Sequence, residues 1–513
     1  MAFETTPSDY GLRNRVGLVA GPAVFFAVLI FGDLEPGRPE VTRAAASVLW
    51  IALWWITEAV PIPITSLMPL LLFPLLGISG AKDTAPCYME SIVFLFLGGF
   101  IIALAIERWG LHRRIALQVV RRVGTSPRRL VLGFMTATAV LSMWISNTAT
   151  TMMMLPIGLA VIARVEGSAG EEGAKDSNFA TALLLGIAYA AGIGGMGTLI
   201  GTPPNIVLQG FLSRRFPDCG LVTFQSWLLL ALPFTTVFLF AAWALLVFLL
   251  CPLKPFREGS VSRAAVEEEY AALGPMAPAE RRVLAVFACT ALLWIFRKDL
   301  DVGSFHLPGW TSLLRAGKGV DDSTVAVGMA FLLFLLPSGR RPFEFLMDWK
   351  TAVRLPWGIL LLFGGGLALA RGMEVSGLTG WLGRRFEVLQ GAPPWLLIVC
   401  ASVLTMLLTE VTSNTATANM ILPVLATVSL AIGINPLLLL VPATLSASCA
   451  FMLPVATPPN TIVFGSGRVP ITRMAKYGVL VNLTAVAFIL VTALLLLRVV
   501  FGVDPAVLPP WAR

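Results

Sequence analysis

Two uncharged polar words recur in this chain, Ser146-Asn147-Thr148-Ala149-Thr150 and Ser413-Asn414-Thr415-Ala416-Thr417. Each is followed by a proline word, Gly201-Thr202-Pro203-Pro204-Asn205 and Ala456-Thr457-Pro458-Pro459-Asn460. Their polar side chains are hydroxyls and carboxamides, which offer oxygen ligands to a hard cation and hydrogen-bond donors to an oxyanion. Serine, asparagine and threonine are favoured N-caps, and a threonine before proline caps a helix whose first residue lacks the N–H that would otherwise be left unpaired. Each word therefore predicts the start of a helix. The free N–H groups and partial positive charge of that start suit an anion, and the terminal carbonyls of the preceding helix suit a cation. No lysine, arginine, aspartate or glutamate lies within the four words, although Glu410 comes close.

The words stand inside long apolar runs. With 57% hydrophobic and 13% charged residues in 513, the chain carries more apolar surface than a soluble core could bury, which predicts a multi-pass membrane protein. Polar breaks in lipid-spanning helices are costly unless they line a cavity, so the four words predict one composite site in a secondary transporter. The net charge of +8 resides in loops beside apolar runs and is expected to set topology, with the lipid bilayer rather than nucleic acid as partner. Six cysteines are scattered singly and only two histidines exist, which leaves little material for a metal centre or catalytic triad. No enzyme and no cofactor is expected. A channel would need a continuous polar path, and no helix shows a repeating polar stripe. The run Val16 to Phe31 follows Arg13 and Arg15 without a convincing cleavage site and is expected to be a membrane helix, not a leader.

The elements that must position the words form an internal duplication. A register shift of 267 residues carries Ser146 onto Ser413, and with it Gly98 onto Gly365, Glu107 onto Glu374, Gly110-Leu111 onto Gly377-Leu378, and Pro156 onto Pro423. The proline words pair at a shift of 255, and the polar loop Val165 to Asn178 accounts for the difference. Residues 108 to 129 hold seven arginines whereas 375 to 396 hold only Arg384 and Arg385, so equivalent loops are expected on opposite sides. That is the mark of an inverted repeat. The expected organisation is an N-terminal segment with a first helix (1–40), a first repeat (41–251), a cytoplasmic linker (252–280) and a second repeat (281–513). Within the repeats, hairpins are expected over 130–164 and 395–432 and broken helices over 180–210 and 436–465. The expected fold is all-α, with about eleven transmembrane helices and two re-entrant hairpins.

Several stretches resemble the divalent anion:sodium symporter family. They are Trp55-Ile56-Thr57-Glu58-Ala59-Val60-Pro61, Phe94 to Phe100, Trp357 to Gly366, the two Ser-Asn-Thr words, and Leu453 to Asn460. The resemblance, from about residue 40 to 500, implies an inverted-repeat ion-transporter fold, a homodimer, and elevator-type movement of C4-dicarboxylates such as succinate, malate or fumarate with sodium as coupling ion. It implies one sodium site from Ser142, Ser146, Asn147 and the backbone at Gly201, and a second from Thr409, Thr412, Asn414 and the backbone at Ala456. The dianionic substrate would meet Asn147, Thr148, Ser413, Asn414, Thr415, Thr457 and Pro458, with Thr202 a weaker candidate. The family also contains sodium-independent exchangers, and a pocket of hydroxyls, amides and helix ends would also accept a tricarboxylate or sulfate.

Other residues carry quieter expectations. Gly98-Gly99 and Gly364-Gly365-Gly366 are expected to serve close helix packing. Glu107 and Glu374 sit at helix ends, in solvated or structural roles. Glu58 and Glu410 adjoin apolar sequence, where a carboxylate is a candidate for proton coupling. After the shared triplet the halves diverge, Thr150-Thr151-Met152 against Thr417-Ala418-Asn419, so the two sites are not chemically equivalent. Richness in alanine, arginine and leucine points to a bacterial inner membrane.

Overall fold

The structure, a computed structural model, describes residues 11–124, 126–167, 178–253, 260–302, 305–314, 317–505 and 507–512. Among these, β structure is confined to one antiparallel ribbon, Leu300–Val302 with Phe305–Leu307, and an isolated bridge between Pro337 and Phe345. Everything else of regular structure is helical. Eight helices are long and apolar enough to cross a membrane, and four further apolar helices are shorter.

The apolar runs fold into helices, and the chain breaks where the polar words stand. The first hairpin has arms Pro127–Ser142 and Asn147–Gly167, and the second has Pro394–Thr409 and Asn414–Ile432. The broken helices are Asn178–Gly195 with Pro203–Arg215, and Leu437–Ala447 with Pro458–Phe464. At 1.5 Å per residue, the shorter arm of each hairpin is about 24 Å long, less than the hydrocarbon thickness of about 30 Å. Most of the polar loop expected over Val165 to Asn178 lies outside the described residues.

Asn178–Gly195 is the central post, buried along its whole length from Phe179. A helix apolar on every side has no solvent face to keep, so it draws neighbours all round. The first hairpin, the helix Phe224–Ala244 and the half-helix Pro458–Phe464 all pack on it.

The paired glycines acquire distinct physical reasons. A Cβ on Gly98 would stand 2.5 to 2.7 Å from Ala326, so the helices Ser91–Arg108 and Asp322–Leu335 approach at a distance only glycine permits. Gly365 faces the backbone of Ser66 in the same way. Gly110 and Gly377 have φ of 71° and 83°, the left-handed region that glycine enters without steric cost. Each turns the chain into a short amphipathic helix, Leu111–Val123 and Leu378–Phe386.

The linker contributes more than length. Its helix Ser260–Ala272 sets Glu267 2.7 Å from Arg121, Glu268 2.6 Å from Arg164 and Glu269 2.5 Å from Arg113. The arginine-rich stretch, expected as a topology signal, is therefore also an ionic lattice between the linker, the amphipathic helix and the first hairpin. One member is buried: Arg114 pairs with Glu280 at 3.1 Å and donates to the carbonyls of Leu273, Gly274 and Pro275. Removing one partner of a buried pair strands a desolvated charge, whereas an exposed pair is screened by water. Arg114→Ala is expected to cost about 3–5 kcal/mol and Arg121→Ala less than about 1 kcal/mol, read as thermal unfolding of the detergent-solubilised protein. Equal, small losses would show that the buried pair is not a structural anchor.

Candidate functional site

The first hairpin turns between Ser142 and Asn147, and the turn is held by one hydroxyl. Ser142 Oγ lies 2.6 Å from Asn147 Oδ1 and 2.8 Å from the carbonyl oxygen of Ala191, on the central post. The second hairpin repeats this arrangement. Thr409 Oγ1 lies 2.7 Å from Asn414 Oδ1 and 2.8 Å from the carbonyl oxygen of Ala447, at the end of the half-helix Leu437–Ala447. A hydroxyl has one proton and so can satisfy only one of its two acceptors at a time. Each cluster holds more oxygen lone pairs than donors, a deficit that a cation corrects.

Further oxygens converge on the first cluster. A Cβ placed on Gly195 would stand 2.7 Å from Asn147 Oδ1 and 3.2 Å from the carbonyl oxygen of Gly201. One placed on Gly201 would stand 2.5 Å from the carbonyl oxygen of Gly195 and 3.0 Å from those of Ser142 and Met143. Ser142, Asn147 and Gly201 are thus brought together in a cradle of neutral oxygens too tight for a side chain. This donor set suits sodium, with backbone carbonyls freed by the helix break as its principal partners.

Of the second set, Thr409 and Asn414 meet, and Ala456 is buried in the turn that precedes Pro458–Phe464. The two remaining hydroxyls have hydrogen-bond partners of their own. Ser146 is exposed and caps its helix by accepting from Ala149 N at 3.2 Å. Thr412 donates to the carbonyl of Leu408 at 2.9 Å and lies 2.5 Å from Thr417 Oγ1.

The residues expected to meet the anion lie at or beside helix starts. Asn147 and Asn414 open Asn147–Gly167 and Asn414–Ile432, and both are half-buried, as are Thr148, Ser413, Thr457 and Pro458. Thr415 is buried. Among the described residues, the hydroxyls of Thr148 and Thr415 and the Nδ2 groups of Asn147 and Asn414 have no hydrogen-bond partner. Each asparagine therefore has its oxygen in the hydroxyl and carbonyl cluster and its N–H donors without a protein partner. Thr457 caps Pro458–Phe464 through a 3.4 Å bond from Asn460 N, while Thr202 makes no side-chain cap and is only 2% exposed. The expected threonine cap forms in one half only.

The halves interlock across this region. Pro458–Phe464 packs on Asn147–Gly167, and Pro203–Arg215 packs on Asn414–Ile432. Gly192, next to Ala191, faces the ring of Phe451 and the carbonyl of Ser448, next to Ala447. The two clusters therefore adjoin through the central post.

Sequence reasoning missed several participants. Asn205 donates from Nδ2 to the carbonyls of Gly195, Met196 and Thr198, and Asn460 to those of Ala450 and Leu453. They tie down the two unwound segments, and their Oδ1 atoms are buried without a protein donor. Their shared place in the two proline words was the available signal. The carbonyls of Ala191 and Ala447 left none, because a backbone oxygen has no residue identity. Glu58 proves half exposed beside Arg13 at 3.6 Å, and Glu374 is bridged by Arg215 at 3.2 Å. A small cavity lined by Ser91, Gln209, Arg297 and Asp321 touches none of the four words, and its Arg297 is taken by Asp322 at 2.5 Å.

Residues 17–503 match the family described as the sodium:sulfate symporter transmembrane region. The sodium-dependent dicarboxylate transporter SdcS of Staphylococcus saprophyticus is 42% identical over 501 residues, covering 97% of this chain and 94% of the relative. The protein of the same name from Staphylococcus aureus strain MRSA252 is 42% identical over 500 residues, covering 96% and 93%. Among solved structures, Neisseria gonorrhoeae MtrF, of a class of antimetabolite efflux pumps, aligns with TM-score 0.55 at 13% identity over 82% of this chain and 84% of its own. The Alcanivorax borkumensis YdaH transporter aligns with TM-score 0.54 at 16% identity over 90% and 99%. These two share the fold.

The tightness of the first cradle has a direct test. Gly201→Ala should raise the sodium concentration for half-maximal thermal stabilisation by about tenfold or more, because the methyl must displace three backbone oxygens. Ala456→Gly, at the matching position of the other half, should leave it nearly unchanged. Equal sodium responses from the wild type and Gly201→Ala would exclude this cradle as a cation site.

Proposed function

The chain belongs to the sodium:sulfate symporter family, and on that premise we propose that it is a sodium-coupled secondary transporter of C4-dicarboxylates such as succinate, malate and fumarate. It works in the plasma membrane as a multi-pass protein. The observation that carries this reading is the divided commitment of Asn147 and Asn414, each with Oδ1 in an oxygen cluster and Nδ2 unpartnered at a helix start. A sodium ion on the oxygen side withdraws electron density from the amide and strengthens its N–H groups as donors. A carboxylate on the other side does the reverse. Each ligand thereby improves the site for its partner, and the coupling is reciprocal.

The remaining contacts follow from the helix breaks. The two carboxylates of the substrate are held by Asn147 and Thr148 at one start and by Ser413, Asn414 and Thr415 at the other, with Thr457 and Pro458 completing the second side. Helix N-termini and bound cations offset the dianion where no lysine or arginine stands. The sodium ions are co-substrates, taken by Ser142, Asn147 and the Gly201 backbone in one half and by Thr409, Asn414 and the Ala456 backbone in the other. The names of the staphylococcal relatives support dicarboxylate as the anion and sodium dependence over exchange.

The transport step is an elevator movement in a homodimer, with residues 41–251 and 281–513 as inverted repeats. Hairpins and broken helices of both halves pack on one another, which supports their moving as a body.

Labelled succinate uptake into proteoliposomes tests the reading. An inward sodium gradient should drive accumulation, succinate should outcompete citrate and sulfate, and Asn147→Ala or Asn414→Ala should each reduce the initial rate by about a hundredfold, as loss of two interactions of about 1.4 kcal/mol each implies. Counterflow confined to preloaded vesicles, indifferent to sodium, would instead identify an exchanger.

A further inference from the structure

Among the described residues, Glu410 is the one carboxylate beside the site, and its surroundings are unlike those of a proton carrier. The residue is 3% exposed, and its side-chain oxygens accept from the backbone N–H of Phe451 at 2.9 Å, Met452 at 3.0 Å and Leu453 at 3.1 Å. Asn482 Nδ2, on the helix Ile471–Val491, adds a further bond at 2.8 Å. Every partner is an N–H donor, so the cage is built for the charged form. Three successive amides turned towards one carboxylate fix the unwound segment between the halves of the second broken helix. That segment also carries the Ala450 and Leu453 carbonyls tied by Asn460.

The first half solves the same problem without charge. The register shift of 267 places Met143 at the position of Glu410, and the shift of 255 places Thr198 at that of Leu453. There the Thr198 hydroxyl donates to the Met143 carbonyl and accepts from Gly201 N at 3.1 Å, so a neutral relay holds the segment. The halves have exchanged a hydroxyl and a backbone carbonyl for a leucine and a buried carboxylate.

Resting on the sodium-coupled reading above, we propose that Glu410 is a positioning residue that clamps the 451–453 segment and makes the two cation sites unequal, with the second, beside Thr409, the tighter. The carboxylate that this N–H cage holds charged, on the residue next to Thr409, attracts a cation through a water-poor interior, whereas the equivalent position next to Ser142 is the neutral Met143. The second site fills at lower sodium, and its cation prepares the Asn414 side before the first site is occupied.

Sodium titration of thermal stability in the detergent-solubilised full chain, with choline as control, reads binding without transport. Glu410→Gln should raise the half-saturating sodium concentration about tenfold or more. The KM for succinate at saturating sodium should change by less than about threefold, because the substrate contacts are retained. Should that variant not fold, the double substitution Glu410→Met with Leu453→Thr transplants the neutral clamp of the first half and should weaken sodium binding equally. Folded variants that titrate sodium as the wild type does would overturn the proposal and leave Glu410 a structural brace. A wild-type chain indifferent to sodium would overturn the coupling reading itself, a distinct failure.

Discussion

A backbone that leaves its helix inside hydrocarbon must find partners for N–H and C=O groups that water cannot reach, and the architecture follows from that demand. Four helix breaks are brought together by half-helices that cross between the repeats, and the groups they free are shared among a few side chains. Asn205 and Asn460 stitch the unwound segments. Ser142 and Thr409 join each hairpin tip to a facing carbonyl. What remains unpaired is unpaired in a pattern, with excess oxygens on one side of each tip asparagine and free N–H groups on the other. In the proposed site, a cation and an anion together complete what the protein leaves open.

That division explains how a site without lysine or arginine can hold a dianion. A fixed ion pair would bind the anion equally well with or without sodium, whereas in the proposed site the tip asparagines make each ligand depend on the other. Neutral groups also leave the emptied site uncharged apart from Glu410, whose charge is spread over four N–H donors. A site inside a membrane-spanning fold benefits from that economy, because an uncompensated charge within the membrane is costly.

Much of this was legible in the sequence because the signal was doubled. The Ser-Asn-Thr and Thr-Pro-Pro-Asn words announced breaks, and the common register of Gly110 and Gly377 announced turns whose left-handed φ values the structure supplies. Ser142 and Thr409 could be placed only through the family resemblance, since a serine and a threonine at paired positions look unremarkable alone. Partners distant in sequence were invisible. Glu410 reaches amides some forty residues on, and Asn482 lies on another helix. Its reading as a proton-coupling candidate rested on apolar neighbours and could not include the amide cage. The pairing of linker glutamates with Arg113, Arg114 and Arg121 was hidden for the same reason, since charge counting reports sign and not partner. Burial separates Thr202 from Thr457, and the sequence words that contain them are nearly identical.

The most direct measurement is an experimental map of the chain loaded with sodium and succinate, at a resolution that places ions. The account predicts one ion among Ser142 Oγ, Asn147 Oδ1 and the Gly201 carbonyl, a second among Thr409 Oγ1, Asn414 Oδ1 and the Ala456 carbonyl, and succinate between the two asparagine Nδ2 groups. Ions bound away from both asparagines, or a substrate held by arginine elsewhere in the fold, would contradict it.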